Sequence, residues 1–349
     1  MERRRILDLY RRGDASVLVT LIRVEGSSYR QPGARLLIAA NGDYAGAISG
    51  GCLEAEVLRK AQWKVRHGAV VERYSTLFED TAEIPYGLGC GGTVDLLFEP
   101  ADASECGGLM DAMEATLHGE GRRVITQLPE DSGAIRRCIL DPQGEHLFRS
   151  ASGVVDTAKP CFDETLDPPQ RLVLFGAGDD AQPMVRLAGM LGWRTAVVDS
   201  RVQWAKRERF PEVDIVAAQM TSLEIAIEDA VVVMSHSYEQ DRTWLTEALR
   251  AEPRYLGLLG ARHRSALLLT EVAEALQWPM ERVCASVFAP IGLDLGGDGA
   301  EAIALATIAE IQASIGGKLG SSRRMTPSLV ASLLAQGSNA RYLQNQCAL

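Results

Sequence analysis

The chain has 349 residues, 46% of them hydrophobic and 23% charged, and a formal net charge of −10. That length predicts two domains, each with enough apolar residues for its own core. The acidic balance excludes a nucleic-acid binder, which needs clustered Lys and Arg against phosphates, and no apolar run is long enough for a membrane span. Seven cysteines without a C-x-x-C pair predict neither a disulfide framework nor a zinc site. With no signal-peptide core to be read near the start, the expected compartment is a reducing cytoplasm.

Residues 2–12 predict an amphipathic helix with Ile6, Leu7, Leu9 and Tyr10 on one side and the basic cluster Arg3-Arg4-Arg5 on a solvated face. Val17–Val24 reads as a strand, and residues 25–33 as a loop carrying Arg30. Residues 34–39 and 44–48 read as a hairpin turning at Asn41-Gly42. Ser49-Gly-Gly-Cys-Leu-Glu54 opens a helix running to about His67, with Leu53, Val57 and Ala61 inward and Glu56, Lys60 and Lys64 on its wet side. Gly87-Leu-Gly-Cys-Gly-Gly92 introduces a strand at 94–98, and Leu109, Met110, Met113 and Leu117 recur at helical spacing. Short strands follow at 124–128, 135–140 and 146–148. Residues 1–158 therefore read as a mixed α+β domain, and the Pro- and acid-rich segment 159–170 as a linker.

From residue 171 the alternation is regular. Strands are expected at 171–175, 195–198, 213–217, 230–234, 255–259 and 283–288, with helices at 180–191, 239–251, 262–277 and 299–314. Strands alternating with helical patterns predict an α/β domain over 171–315 with a parallel, doubly wound sheet; residues 316–349 form a tail. Leu172–Phe175 is apolar on both faces, as a buried parallel strand must be. Gly176 and Gly178 then allow a tight turn into a helix, and Asp199 closes the next strand where a carboxylate commonly meets a ribose. This is a Rossmann-like unit. Asp179-Asp180, at the helix start, suits the helix dipole but repels a pyrophosphate placed there.

Ligands of such sheets gather beyond the carboxyl ends of the strands. Those ends carry Gly176 and Gly178; Asp199 and Arg201; Ser235-His-Ser-Tyr-Glu-Gln-Asp241; Gly257-Leu-Leu-Gly-Ala-Arg-His-Arg264, with Gly260 at its centre; and Ala289–Gly296, with Asp294. Each residue has a plainer alternative. His236 either caps the next helix or meets a ligand, Arg262 and Arg264 are surface charges or phosphate clamps, and Asp294 can simply stabilise its turn. In the first domain Cys52 and Cys90 sit among glycines. Cys52 also lies at a helix start, which favours thiolate and hence nucleophile or metal-ligand chemistry; the plainer alternative is a small buried thiol that packs. Glu54 is either a ligand or a helix-start carboxylate. Neither G-x-S-x-G nor H-E-x-x-H occurs, so neither a nucleophile-elbow serine nor a zincin site is expected.

Gly26-Ser-Ser-Tyr-Arg-Gln-Pro-Gly-Ala34, Ser49–Glu54 and Gly87–Gly92 resemble the N-terminal signature of XdhC/CoxI proteins. Leu174–Gly178, Val198–Arg201, Ser235–Asp241, Tyr255–Gly260 and Pro290–Asp294 resemble the Rossmann signature of the same family, and the likeness runs in order over about residues 5–315. Asp179 stands where the family usually has a histidine, and Gly299-Ala-Glu-Ala302 where it has a Thr-Pro-Glu-Glu-like run. The resemblance implies an accessory factor of xanthine dehydrogenase that binds molybdenum cofactor, protects it during sulfuration and delivers it to the apo-hydroxylase, more a chaperone than an enzyme. It implies a cofactor-binding set of Cys52, Glu54, Cys90, Gly176, Gly178, Asp199, Arg201, His236, Asp241, Gly260 and Asp294, with Cys52 reaching the metal and the cofactor held between the two domains. The implied partners are an apo-molybdenum hydroxylase and a cysteine desulfurase; a homodimer is also expected. Two other readings stay open: an NAD(P)-dependent oxidoreductase with His236 as acid/base, and sulfur or nucleotidyl transfer on the pterin with Cys52 as sulfur carrier.

Overall fold

Valine-rich strands with no polar face need cover on both sides, and the second half of the chain supplies it. The computed structural model describes residues 1–26, 28–51, 53–75, 93–219, 223–321, 327–328 and 332. It falls into two units, Glu2–Pro168 and one beginning at Pro169. The second holds β11 (Arg171–Phe175), α4 (Ala181–Leu191), β12 (Arg194–Val198), β13 (Ile215–Ala217), β14 (Ala230–Val233), α5 (Tyr238–Ala251), β15 (Tyr255–Leu258), α6 (Arg262–Leu276), α7 (Met280–Ser286) and α8 (Ala300–Ile315). All five strands are parallel, in the order β13-β12-β11-β14-β15.

Alternate residues of each strand feed two cores. Val173, Phe175, Val198, Val231 and Val233 pack with Trp244, Leu268, Val272 and Val283 of α5, α6 and α7. Leu172, Leu174, Val197, Ala230 and Val232 pack with Met184, Val185, Ile308 and Ile311 of α4 and α8. The chain runs outward from β11 to β13, then returns to place β14 on the other side of β11. Ligands of such sheets bind beyond the carboxyl ends where that order reverses.

The strand expected at 283–288 is a correction: Met280–Ser286 is helix α7. Val283 and Val287 are buried, while 280–282 and 284–286 are exposed, a spacing of four that suits a helix lying on a core. Phe288 follows the helix onto the sheet; its N–H donates to Leu256 O (2.8 Å) and its carbonyl accepts from Leu258 N–H (2.9 Å), covering the edge of β15.

The first unit holds α1 (Glu2–Arg11), β1 (Ala15–Glu25), β2 (Arg35–Ala39), β3 (Tyr44–Gly46), α2 (Glu54–Lys64), β4 (Ala69–Ser75), β5 (Thr93–Pro100), α3 (Ser104–Leu117), β6 (Arg122–Gln127), β7 (Ser132–Gly133), β8 (Arg136–Leu140), β9 (His146–Arg149) and β10 (Cys161–Leu166). A six-stranded sheet, β3-β2-β1-β5-β4-β7, and a four-stranded one, β10-β6-β8-β9, make it up. β1 is buried on both faces: Leu18 packs toward α1 and α3, while Val17, Val19 and Leu21 pack toward α2, the period of two that a strand requires. Helix α3 lies between the sheets, sharing its core with Val124 of β6 and Ile139 of β8. Across this layer Arg137 of β8 donates to both oxygens of Glu99 on β5 (2.7 and 3.1 Å), to Thr126 (2.9 Å) and to the Glu105 carbonyl (2.6 Å). Both side chains are buried, and burial opposes the charge on Arg137. The Glu99 carboxylate more than offsets this and raises the Arg137 pKa.

Two expectations need correction here. The segment 159–170 contains β10, which pairs with β6 from Cys161↔Gln127 to Leu166↔Arg122. Its acid Glu164 pairs with Arg35 of β2, so acidic composition here marks a paired strand. Glu56, expected on the wet side of α2, is buried; Arg59 and Lys60 of the same helix pair with its carboxylate, which makes burial tolerable. Among the described residues no helix is long and apolar enough to cross a membrane.

Candidate functional site

The turn from β11 into α4 lies where the strand order reverses. Gly176 has φ +133°, and a Cβ there would fall 2.5 Å from the Met234 carbonyl, so only glycine lets this turn pass the end of β14. Asp199, at the end of β12, is fully buried. One oxygen accepts from the Ala177 N–H (2.8 Å) and Arg201 Nη2 (2.7 Å), the other from the Arg201 N–H and Nε (2.9 Å each). Burial disfavours the carboxylate, but the bonds from Arg201 and Ala177 outweigh it and hold its pKa below the usual range; the same pairing raises that of Arg201. The acid expected to meet a ribose is therefore turned inward, bracing the glycine turn. Arg201 is spent on Asp199 and on the Ser235 carbonyl (3.1 Å).

Arg209, from the loop after β12, completes the brace. It donates to the Ala177 carbonyl (2.6 Å), the Trp204 carbonyl (3.1 Å) and Asp179 (2.7 Å). The guanidinium carbons of Arg201 and Arg209 lie 4.9 and 4.7 Å from the Trp204 ring centre. Neither Arg209 nor Trp204 carries a local sequence signal, because their role exists only where the loop folds back on the turn.

His236 follows β14 in the left-handed region, φ +62°, which is uncommon without glycine. Its Nε2 lies 2.8 Å from Asp180 Oδ2, and its side chain is 62% exposed. It makes no cap to α5, since the N-cap residue there is Ser237 and no side chain caps it. Asp241 is buried and serves the loop: one oxygen accepts from the Ser235 N–H (3.0 Å) and hydroxyl (2.6 Å), the other from Arg264 Nη2 (2.6 Å). Arg264 is thus more than a free surface charge. Gly260 lies in the short loop between β15 and α6, one residue before the Ala261 N-cap. Asp294 is exposed, on a loop anchored instead by Glu310, which accepts from the Gly292 N–H (3.0 Å) and the Tyr255 hydroxyl (2.6 Å). The carboxyl edge of the sheet therefore carries Gly176, Gly178, Asp199, Arg201, His236 and Asp241, of which Asp199, Arg201, His236 and Asp241 already have internal partners.

In the first unit, Glu54 accepts from the N–H groups of Ile48 (3.0 Å), Ser49 (2.7 Å) and Gly51 (3.1 Å), and from the Ser49 hydroxyl. Burial works against its charge; the Ser49 and Ile48 hydrogen bonds prevail and lower its pKa. Glu54 is thus the helix-start carboxylate that gathers the N–H groups of Ile48, Ser49 and Gly51. Cys52 and Cys90 lie outside the described residues. Among the described residues no group of three or more His, Cys, Asp or Glu could hold a metal ion.

Residues 172–311 match the XdhC Rossmann domain, and residues 9–75 match the XdhC and CoxI family. Over 330 residues the chain is 27% identical to a probable xanthine dehydrogenase subunit from Bacillus subtilis, covering 85% of this chain and 92% of that protein. It is 26% identical over 300 residues to the molybdenum cofactor insertion chaperone PaoD of Escherichia coli, covering 86% and 83%. A crystal structure described as a xanthine dehydrogenase from Bacillus halodurans superposes with a TM-score of 0.77 at 27% identity, over 95% of this chain and 99% of that one.

Proposed function

Because the chain belongs to the XdhC and CoxI family, we propose that it is an accessory factor of a xanthine dehydrogenase-type molybdenum hydroxylase. It binds molybdenum cofactor as cargo, shields it during sulfuration by a cysteine desulfurase and passes it to the apo-hydroxylase in the cytoplasm, without turnover of its own. The observation that carries this reading over an NAD(P)-dependent oxidoreductase is the saturation of Asp199. The rim keeps the glycine turn, yet the acid that would grip a ribose is committed to Ala177 and Arg201. Asp179 and Asp180 stand where a pyrophosphate would go. A pterin asks less of those positions, since its edges take hydrogen bonds from varied polar groups. The named function of the Escherichia coli relative supports the same reading. In the first unit Cys52 supplies a soft sulfur ligand suited to molybdenum.

The test is mass spectrometry of what co-purifies from a molybdenum-replete host. Molybdopterin near one equivalent is expected, with metal retention lost in Cys52→Ser. A protein that carries no pterin and does not slow cofactor oxidation overturns the reading, and a recovered nicotinamide nucleotide would return the oxidoreductase.

A further inference from the structure

Helix starts attract anions, but most of those in the C-terminal unit carry acids that repel them. Asp179 and Asp180 precede α4, Glu239 and Asp241 lie in the first turn of α5, and Glu301 in that of α8. The 15-residue helix α6 differs. Its N-cap is Ala261, which has no polar side chain to cap it, and its first turn is Arg262-His-Arg264 with no acid. The first helical bond there runs from the Ser265 N–H to the Ala261 carbonyl (3.0 Å), so the N–H groups of 262–264 have no intrahelical acceptor. Arg262 is exposed and makes no ion pair or side-chain hydrogen bond among the described residues.

A second observation is independent of the helix start. Ser265 is 3% exposed, and its hydroxyl has no hydrogen-bond partner, although buried hydroxyls are normally satisfied. It faces the notch at Gly260: a Cβ on Gly260 would lie 3.7 Å from Ser265 Oγ and 3.3 Å from Arg264 Nη1. Arg264 lies over this notch with Nη2 held by Asp241 (2.6 Å), which takes up part of its charge and leaves Nη1 on the Gly260 side.

We propose that the turn from β15 into α6 is a binding site for a phosphate monoester. The N–H groups at the start of α6 and the Arg262 side chain meet its outer oxygens. Arg264 Nη1 turns outward to pair with it, uncovering the Ser265 hydroxyl as the innermost donor, and the missing side chain of Gly260 makes the room. This rests on the reading that the chain carries molybdenum cofactor, whose pterin bears a phosphate monoester, and it places that phosphate at the turn after β15, away from the acids Asp179 and Asp180 that follow β11.

Inorganic phosphate is the first probe, titrated into the full chain by 31P NMR at constant ionic strength against chloride. Saturable binding is expected, weakened about tenfold or more in Gly260→Ala and about three- to tenfold in Arg262→Gln, as loss of a charge-assisted contact implies. Asp179→Asn should change it by less than about twofold, the effect of an exposed charge screened by solvent. Arg262→Gln alters an exposed side chain and keeps the test valid if Gly260→Ala fails to fold. Phosphate that binds no better than chloride, or binds Arg262→Gln as it binds the parent, overturns the site. So does a response to Asp179→Asn as large as that to Arg262→Gln. Pterin retention separates the two ideas. If the parent and Arg262→Gln keep molybdopterin equally well, the site is refuted and the chaperone reading stands. If Arg262 governs phosphate but no protein retains pterin, the chaperone reading falls and the phosphate site stands.

Discussion

Replacing Asp199 with Asn removes a charge without changing shape, which isolates what that carboxylate does. Four donors converge on it at 2.7–2.9 Å. An amide keeps one accepting oxygen and turns an NH2 group toward the two donors of the other. The Arg201 side chain is partly exposed and can turn to water, but whichever way the amide is set, a backbone N–H of Ala177 or of Arg201 loses its acceptor. One orphaned buried N–H costs about 1–3 kcal/mol, and loss of charge assistance on the rest adds to it, so about 2–4 kcal/mol is expected. For a unit of this size that is a fall of roughly 5–15 °C in the C-terminal transition. Tryptophan fluorescence reads it directly, since Trp193, Trp204, Trp244 and Trp278 belong to that unit and only Trp63 to the other. The pH dependence has a definite sign. The folded pKa of Asp199 lies below its unfolded value, near 3.9 for a free Asp. Its contribution is therefore complete above that value and lost as pH falls through the folded pKa, and the melting curves of parent and variant converge in acid. A change below about 0.5 kcal/mol at neutral pH, the size of an ordinary surface substitution, would refute the bracing role. So would a stability-neutral variant with altered NAD affinity.

Gly176→Ala should destabilise the same unit by more than about 1 kcal/mol in a urea melt, because its Cβ meets the Met234 carbonyl at 2.5 Å and φ is +133°. Glu99→Ala leaves Arg137 buried without its carboxylate and should cost about 3–5 kcal/mol in the N-terminal transition; the double replacement Glu99→Leu/Arg137→Met should recover most of it. Glu54→Gln should speed hydrogen exchange at Ile48, Ser49 and Gly51 and cost about 1–3 kcal/mol at pH 7. Since the folded pKa of Glu54 is depressed, that difference is present above about pH 4.3, the value for a free Glu, and closes as pH falls through the folded value.

Elements with a single strong period were legible along the chain. The helices at 181–191, 238–251, 262–276 and 300–315 and the strands from 171 to 258 stand within two residues of the expected bounds, because each buries a continuous stripe or both faces of a strand. Segments whose burial depends on a distant partner were not legible. Cys161–Leu166 reads as a linker until β6 pairs with it, and Glu56 reads as wet until Arg59 and Lys60 close over it. At the site, the glycines at 176 and 178 were evident from spacing, whereas the inward turn of Asp199, the His236–Asp180 contact and the closing role of Arg209 were not.

Local covalent limits and periodicity act between neighbours in the chain, so they determine on their own the parallel Rossmann sheet, its glycine turn and the chemistry available along its rim. Whether an acid on that rim faces a ligand or the protein depends on which guanidinium or N–H arrives from residues far away in sequence. Arg201 lies two residues from Asp199, but Ala177 is 22 away and Arg209 reaches Asp179 across 30. Hydrogen-bond geometry at such separations is settled by packing of the whole unit, and for that reason the tertiary structure alone decided that Asp199 braces the turn.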